Sequence, residues 1–133
     1  MKIVILIAIV CLNFLNAEIS LISSKECKLK SISKSEVKKL FLLKKKFLNK
    51  EKIRVVDASN KALYNQFVKE YLNKSVRKIK TYWTRMLFTG KKIPPKKLSL
   101  HELKSLANHG VCHLTYVNKK DNKFKDWKTL TLQ

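Results

Sequence analysis

A chain of 133 residues is one domain's worth of polypeptide at most, and its 45% hydrophobic and 9% aromatic content is enough for a globular core. Thirty Lys and Arg stand against nine Asp and Glu, a formal charge of +21. The two glycines, Gly90 and Gly110, exclude glycine-rich phosphate loops, and three Cys and three His without tight spacing exclude a zinc finger or a self-contained zinc hydrolase.

Lys2 precedes an unbroken apolar run, Ile3 to Leu12, followed by Asn13, Phe14, Leu15 and the small residue Ala17. A bilayer-spanning helix needs about 20 apolar residues, and this run is about half that. Residues 1–17 are therefore expected to be a cleaved signal peptide, and residues 18–133 an exported, periplasmic domain. Acylation of Cys11 and retention as a membrane anchor are the alternatives. Ile9 and Val10 stand where a lipoprotein signal wants small residues.

Ile19 to Ile22 is a short apolar strand, followed by a polar loop from Ser23 to Ser31. Ser33 and Glu36 form a capping box for a helix over 34–43, with Val37, Leu40 and Phe41 on one face. Ile53-Arg54-Val55-Val56 is a β-branched strand. Asp57-Ala58-Ser59-Asn60 then supplies a turn and N-cap for a helix in which Leu63, Phe67 and Tyr71 recur every four residues. Ser75 opens another helix, striped by Val76, Ile79, Trp83, Met86 and Leu87, which stops at Gly90 before Pro94-Pro95. Ser99 and Glu102 repeat the capping box ahead of Leu103 and Leu106. Cys112 to Val117 is a third strand, Asn118 to Lys123 a turn, and Trp127 to Leu132 a final strand. Trp83, Leu87, Phe67, Leu40 and Phe41 are expected in the core.

This alternation implies an α/β fold, with a small, mostly parallel sheet of about four strands flanked by helices. Ligands of such sheets settle beyond the carboxyl ends of the strands. Those ends are Ser23-Ser24 and Asp57-Ala58-Ser59-Asn60. The second also opens a helix, whose free N–H groups and partial positive charge suit an anion. An ordinary N-cap has the same residue types. Any oxyanion site is expected on the amides of Ser59, Asn60 and Lys61, with Ser23 or Ser24 facing it.

Only three of the thirty cations are Arg, and the chain is rich in Lys, Asn and Ile. That is the profile of an AT-rich genome, in which Lys accumulates on solvated faces. Attraction to lipid head groups or envelope polymers is the competing reading. Nucleic acid is not expected as a partner, because the Lys runs are not interleaved with aromatics at a stacking spacing.

The stretch from Lys80 to Lys96, Lys-Thr-Tyr-Trp-Thr-Arg-Met-Leu-Phe-Thr-Gly-Lys-Lys-Ile-Pro-Pro-Lys, resembles a block of short, secreted phosphate ABC-transporter-type substrate-binding proteins. The segment around Leu40-Phe41-Leu42 and the strand Leu114-Thr115-Tyr116-Val117 are similar to two further blocks of that family, in the same order. The resemblance implies a single periplasmic-binding-protein-like lobe that binds phosphate or a related oxyanion, with a transporter as partner. Where the family carries Glu-Gly-Ser, two residues and Arg, this chain has Asp57-Ala58-Ser59, with Tyr64 at the Arg position. Ser59 matches the ligand-contacting Ser, and Lys61 is the replacement cation. Thr115 replaces a Gly. A lone lobe leaves an oxyanion half solvated, so millimolar rather than micromolar binding is expected, weaker by about 4 kcal/mol.

The alternative function is an interaction protein derived from such a lobe, docking on an envelope partner or an anionic membrane surface. No catalytic constellation, metal site or cofactor is expected, and His101, His109 and His113 are read as surface histidines. If the first and third strands are parallel neighbours, as the resemblance implies, Cys27 and Cys112 lie at opposite edges of the sheet. A five-residue strand spans about 17 Å, and a disulfide needs Cα atoms within about 7 Å. The expectation is therefore no intramolecular disulfide, with Cys112 a buried, small apolar residue.

Overall fold

The structure, a computed structural model, describes residues 18–106 and 110–133; the expected signal peptide and His109 lie outside the described residues. In chain order the strands and helices are β1 (Ile19–Ser24), β2 (Ser31–Ile32), α1 (Lys34–Phe41), β3 (Phe47–Leu48), β4 (Glu51–Val55), β5 (Asp57–Ala58) and α2 (Lys61–Phe67). A π-helical turn, Val68–Leu72, extends α2. Then come α3 (Val76–Phe88), β6 (Lys97–Leu98), α4 (Leu100–Leu106), β7 (Cys112–Asn118), β8 (Trp127–Thr129) and β9 (Thr131–Leu132).

The five-stranded sheet runs β3-β4-β7-β1-β8. Its centre, β7, is buried from Cys112 through Val117. Side chains alternate across a strand, so Cys112, Leu114 and Tyr116 enter one core and Val117 the other. A strand buried on both sides needs cover on both faces. Val37, Leu40 and Phe41 of α1, Phe67 of α2 and Ile79 and Trp83 of α3 cover the first. Leu103 of α4 and Trp127 cover the second. Stacking of the Phe67 and Tyr116 rings, with centroids 3.7 Å apart, anchors the larger core.

Local chemistry sets the helix starts. The Glu36 amide donates to Ser33 Oγ at 3.2 Å, and the Ser33 amide donates to the Glu36 carboxylate at 3.1 Å, completing the capping box of α1. Asn60 caps α2 and Ser75 caps α3. Gly90, at φ +68°, ends α3 with the Lys91 amide donating back to the Met86 carbonyl at 3.0 Å.

The strands and helices differ from expectation in three ways. First, the sheet is mixed: β4 and β7 are its parallel pair, whereas β1 is antiparallel to both β7 and β8, and β3 to β4. A crossover joins β4 to β7 and fixes their common direction. No single crossover links β1 to β7, so an apolar run leaves its direction open. Second, the last strand breaks at Leu130, whose amide donates to the Leu21 carbonyl, and β9 goes on to pair in parallel with β2. Third, Leu87 is 53% exposed. The buried stripe of α3 passes through Ile79 and Trp83 with Tyr82 and Met86 alongside, and Leu87 lies about 80° round the helix from Ile79 at 100° per residue.

The disulfide expectation is overturned with the strand direction. Cys27 and Cys112 are bonded, with Cα atoms 4.8 Å apart. Antiparallel pairing places the carboxyl end of β1 beside the amino end of β7, with Ser23 opposite Leu114. The loop after Ser24 therefore begins where Cys112 lies.

Candidate functional site

β5 and β6 are short, parallel and in register, Asp57 with Lys97 and Ala58 with Leu98. The Asp57 amide donates to the Lys96 carbonyl at 2.8 Å and the Ser59 amide to the Leu98 carbonyl at 2.9 Å. Each strand feeds a helix through a capping residue, Asn60 for α2 and Ser99 for α4. Parallel register makes both helix starts emerge side by side. They border a cleft of about 400 Å³ lined by Ser59, Asn60, Ser99, Leu100, Tyr116 and Asn118, among others.

An α-helix leaves its first four N–H groups without intrahelical acceptors. In α2 the Leu63 amide donates to Asn60 Oδ1 at 3.0 Å. In α4 the Ser99 amide donates to the Glu102 carboxylate at 3.1 Å, and the Glu102 amide to Ser99 Oγ at 3.2 Å. These bonds, led by the one from the Ser99 backbone, hold the Glu102 carboxyl below its usual range. The first-turn donors left to each helix are the amides of Lys61 and Ala62, and those of Leu100 and His101. Of these residues Leu100 lines the cleft, while Lys61 and Ala62 follow the lining residue Asn60 and His101 follows Leu100. Partly positive N–H groups at a helix start can solvate an oxyanion. Asp121 adds a carboxylate to the lining and restricts the charge the cleft accepts.

Beneath the cleft lies a buried acid. The Tyr116 hydroxyl accepts from the Ala58 amide at 3.1 Å and donates to Asp57 Oδ1 at 2.8 Å. Burial raises the Asp57 carboxyl to about 7 despite the opposing effects of this hydrogen bond and of Lys97. The same carboxylate, after burial, raises the Tyr64 hydroxyl to about 12. Burial and Asp57 push the Tyr116 hydroxyl up as well. Near neutral pH the site thus holds a carboxyl able to take or release a proton, one hydrogen bond behind Tyr116.

The sequence-derived residues separate into two groups. Ser59 and Asn60 line the cleft, with Lys61 opening the helix beside it. Of the three amides expected as donors, that of Ser59 is engaged by the Leu98 carbonyl. Ser23 and Ser24 are not brought to this place. Antiparallel β1 sets Ile19 and Ser20 opposite Asn118 and Val117, which puts Ser24 about 13 Å further along the strand at about 3.3 Å per residue. Both serines are fully buried. The Ser24 hydroxyl donates to the Val111 carbonyl at 3.1 Å and accepts from the His113 amide at 3.0 Å, bracing the turn at the disulfide.

Lys97 is a neighbour of the cleft that the sequence does not mark. It pairs with Asp57 in the ladder, and its ammonium lies 4.0 Å from the centroid of the Tyr64 ring. A two-residue parallel pairing leaves no periodic signal, so nothing in the sequence marks it. Thr115 is fully buried and donates to the Val56 carbonyl at 2.7 Å. Of the histidines, His101 is exposed, whereas His113 is 3% exposed within β7 and is not the surface residue expected.

No family model matches the chain, and no curated protein sequence matches it. Among solved structures it is similar to the crystal structure of an ABC-type phosphate transport receptor from Vibrio cholerae, with a TM-score of 0.52 and 12% sequence identity. That match covers 86% of this chain and 45% of the receptor, so the chain spans less than half the length of the protein it resembles. The likeness is one of fold: the chain has a mixed α/β, periplasmic-binding-protein-like architecture.

Proposed function

We propose that this is an exported solute-binding domain of the periplasm that holds phosphate or a related oxyanion weakly, for uptake through a transporter, in the cleft between the starts of α2 and α4. The observation that carries this reading is the pairing of β5 with β6, which sets two helix N-termini on one cleft. The amides of Lys61, Ala62, Leu100 and His101 supply the hydrogen bonds, and Ser59 and Ser99 the flanking hydroxyl side chains. The solved structure of similar fold is described as a phosphate transport receptor, which supports the same ligand class. The cleft opens to solvent on one side, so affinity in the millimolar range is expected, about −4 kcal/mol. The residues before Glu18 act, on this reading, as the export signal.

Isothermal titration of the full chain with phosphate, and in parallel with sulfate, tests the proposal at low and at physiological salt. Saturable heat with one site per chain at both salt concentrations is expected. Heat that never saturates, or that disappears at physiological salt, would mean that the anion only screens surface lysines.

A further inference from the structure

The carboxyl-terminal end of α3 carries a second feature that the oxyanion cleft does not use. Phe88 is 91% exposed, Ile93 77% and Leu87 53%, all within one stretch around the Gly90 turn. Isolated exposed apolar residues are ordinary, but three large ones within the seven residues from Leu87 to Ile93 are not. The stretch of chain that carries them has one sign of charge. From Tyr71 to His101 the sequence contains nine Lys and Arg and no Asp or Glu. Arg77, Lys80 and Arg85 are exposed along α3, and Lys91 is exposed and Lys92 half-buried in its continuation. Ile79 and Trp83 fix the opposite side of the helix in the core. The rotation of α3 is therefore set by packing, and its basic face is held outward.

We propose that this turn docks the domain on an anionic lipid bilayer. Leu87, Phe88 and Ile93 enter the boundary between head groups and acyl chains, while the flanking cations stay at the phosphate level. The charge complementarity lies in the absence of acidic residues: the stretch that carries the apolar turn, Tyr71 to His101, has nine cations and no Asp or Glu. Apolar insertion and electrostatic attraction each contribute to interfacial binding, and their combination confers preference for anionic lipid. Aliphatic Leu87 and Ile93 beside Phe88 suit acyl chains. A nucleic-acid surface would instead use aromatic faces for stacking.

The test uses the full chain with vesicles of phosphatidylglycerol and of phosphatidylcholine. The reporter is the added emission of Phe88→Trp relative to wild type, which reads the turn itself independently of residues 1–17. In phosphatidylglycerol this emission should shift to the blue and be quenched by brominated acyl chains; in phosphatidylcholine at physiological salt it should do neither. In co-sedimentation, the double variant F88S/I93S should bind phosphatidylglycerol at least tenfold more weakly than wild type, with unchanged thermal unfolding. K119A/K120A, away from the turn, should change binding less than twofold. Added emission that brominated chains leave unquenched, or equal effects of the two double variants, would overturn the proposal. So would tight binding to a single-stranded oligonucleotide that F88S/I93S abolishes together with vesicle binding, because the surface would then be a nucleic-acid site.

Discussion

The hydroxyl of Tyr116 donates a 2.8 Å hydrogen bond to the carboxyl of Asp57, which is only 6% exposed. This contact links the central strand to the start of the candidate site, and it has a consequence for stability. The folded Asp57 carboxyl is raised from 3.8 to about 7, with burial as the leading cause. Its contribution to stability is thus fully present below pH 3.8 and is lost as pH rises through about 7. At about 1.4 kcal/mol per pH unit the loss reaches roughly 4 kcal/mol. In urea unfolding, the stability of wild type relative to Asp57→Asn should therefore fall between pH 5 and pH 8. A constant difference would mean that Asp57 titrates normally.

Tyr116→Phe removes the partner of both the Asp57 carboxyl and the Ala58 amide. Leaving buried polar groups without a partner costs about 1–3 kcal/mol each. A loss of about 2–6 kcal/mol for the two groups together is expected from chemical denaturation at pH 5, with the Phe67 stack retained. A neutral outcome would show that water or another group takes over both bonds.

Local features were legible in the sequence, and the direction of β1 was not. Capping boxes at Ser33 and Ser99, the caps at Asn60 and Ser75, and the core positions Leu40, Phe41, Phe67 and Trp83 were legible, because each depends on neighbours within one or two helical turns. The loop that became one wall of the cleft, Ser59-Asn60, was legible for the same reason. Pairings across the sheet were not. Ile19–Ser24 has the same apolar pattern in either direction, and reversing it moved Ser23 and Ser24 from the site to the disulfide. Ser99, Leu100 and Lys97 joined the site through a two-residue ladder with no periodic trace.

The bond between Cys27 and Cys112 closes a loop with a sequence separation of 85. Cross-linking a loop of that size destabilises the unfolded chain by about 4.6 kcal/mol, in the chain-entropy treatment. Intact mass after alkylation without reduction should reveal neither cysteine modified in the unfolded monomer, and reductant should lower the unfolding midpoint. Alkylation of both would restore the unbridged arrangement expected from a parallel β1.

Trp83 and Leu87 lie one helical turn apart on α3, one buried and one 53% exposed. Trp83→Ala should cost about 3–5 kcal/mol by emptying the core, and Leu87→Ala no more than about 0.5 kcal/mol. Equal losses in thermal or denaturant unfolding would mean that α3 is rotated relative to the sheet.

The amide spectrum of the ¹⁵N-labelled chain during titration with phosphate tests the central claim most directly. Saturable shifts confined to the Lys61, Ala62, Leu100 and His101 amides and their immediate neighbours are predicted, with one common dissociation constant. Shifts scattered over the lysine-rich surface without saturation, or none at these four amides, would contradict it.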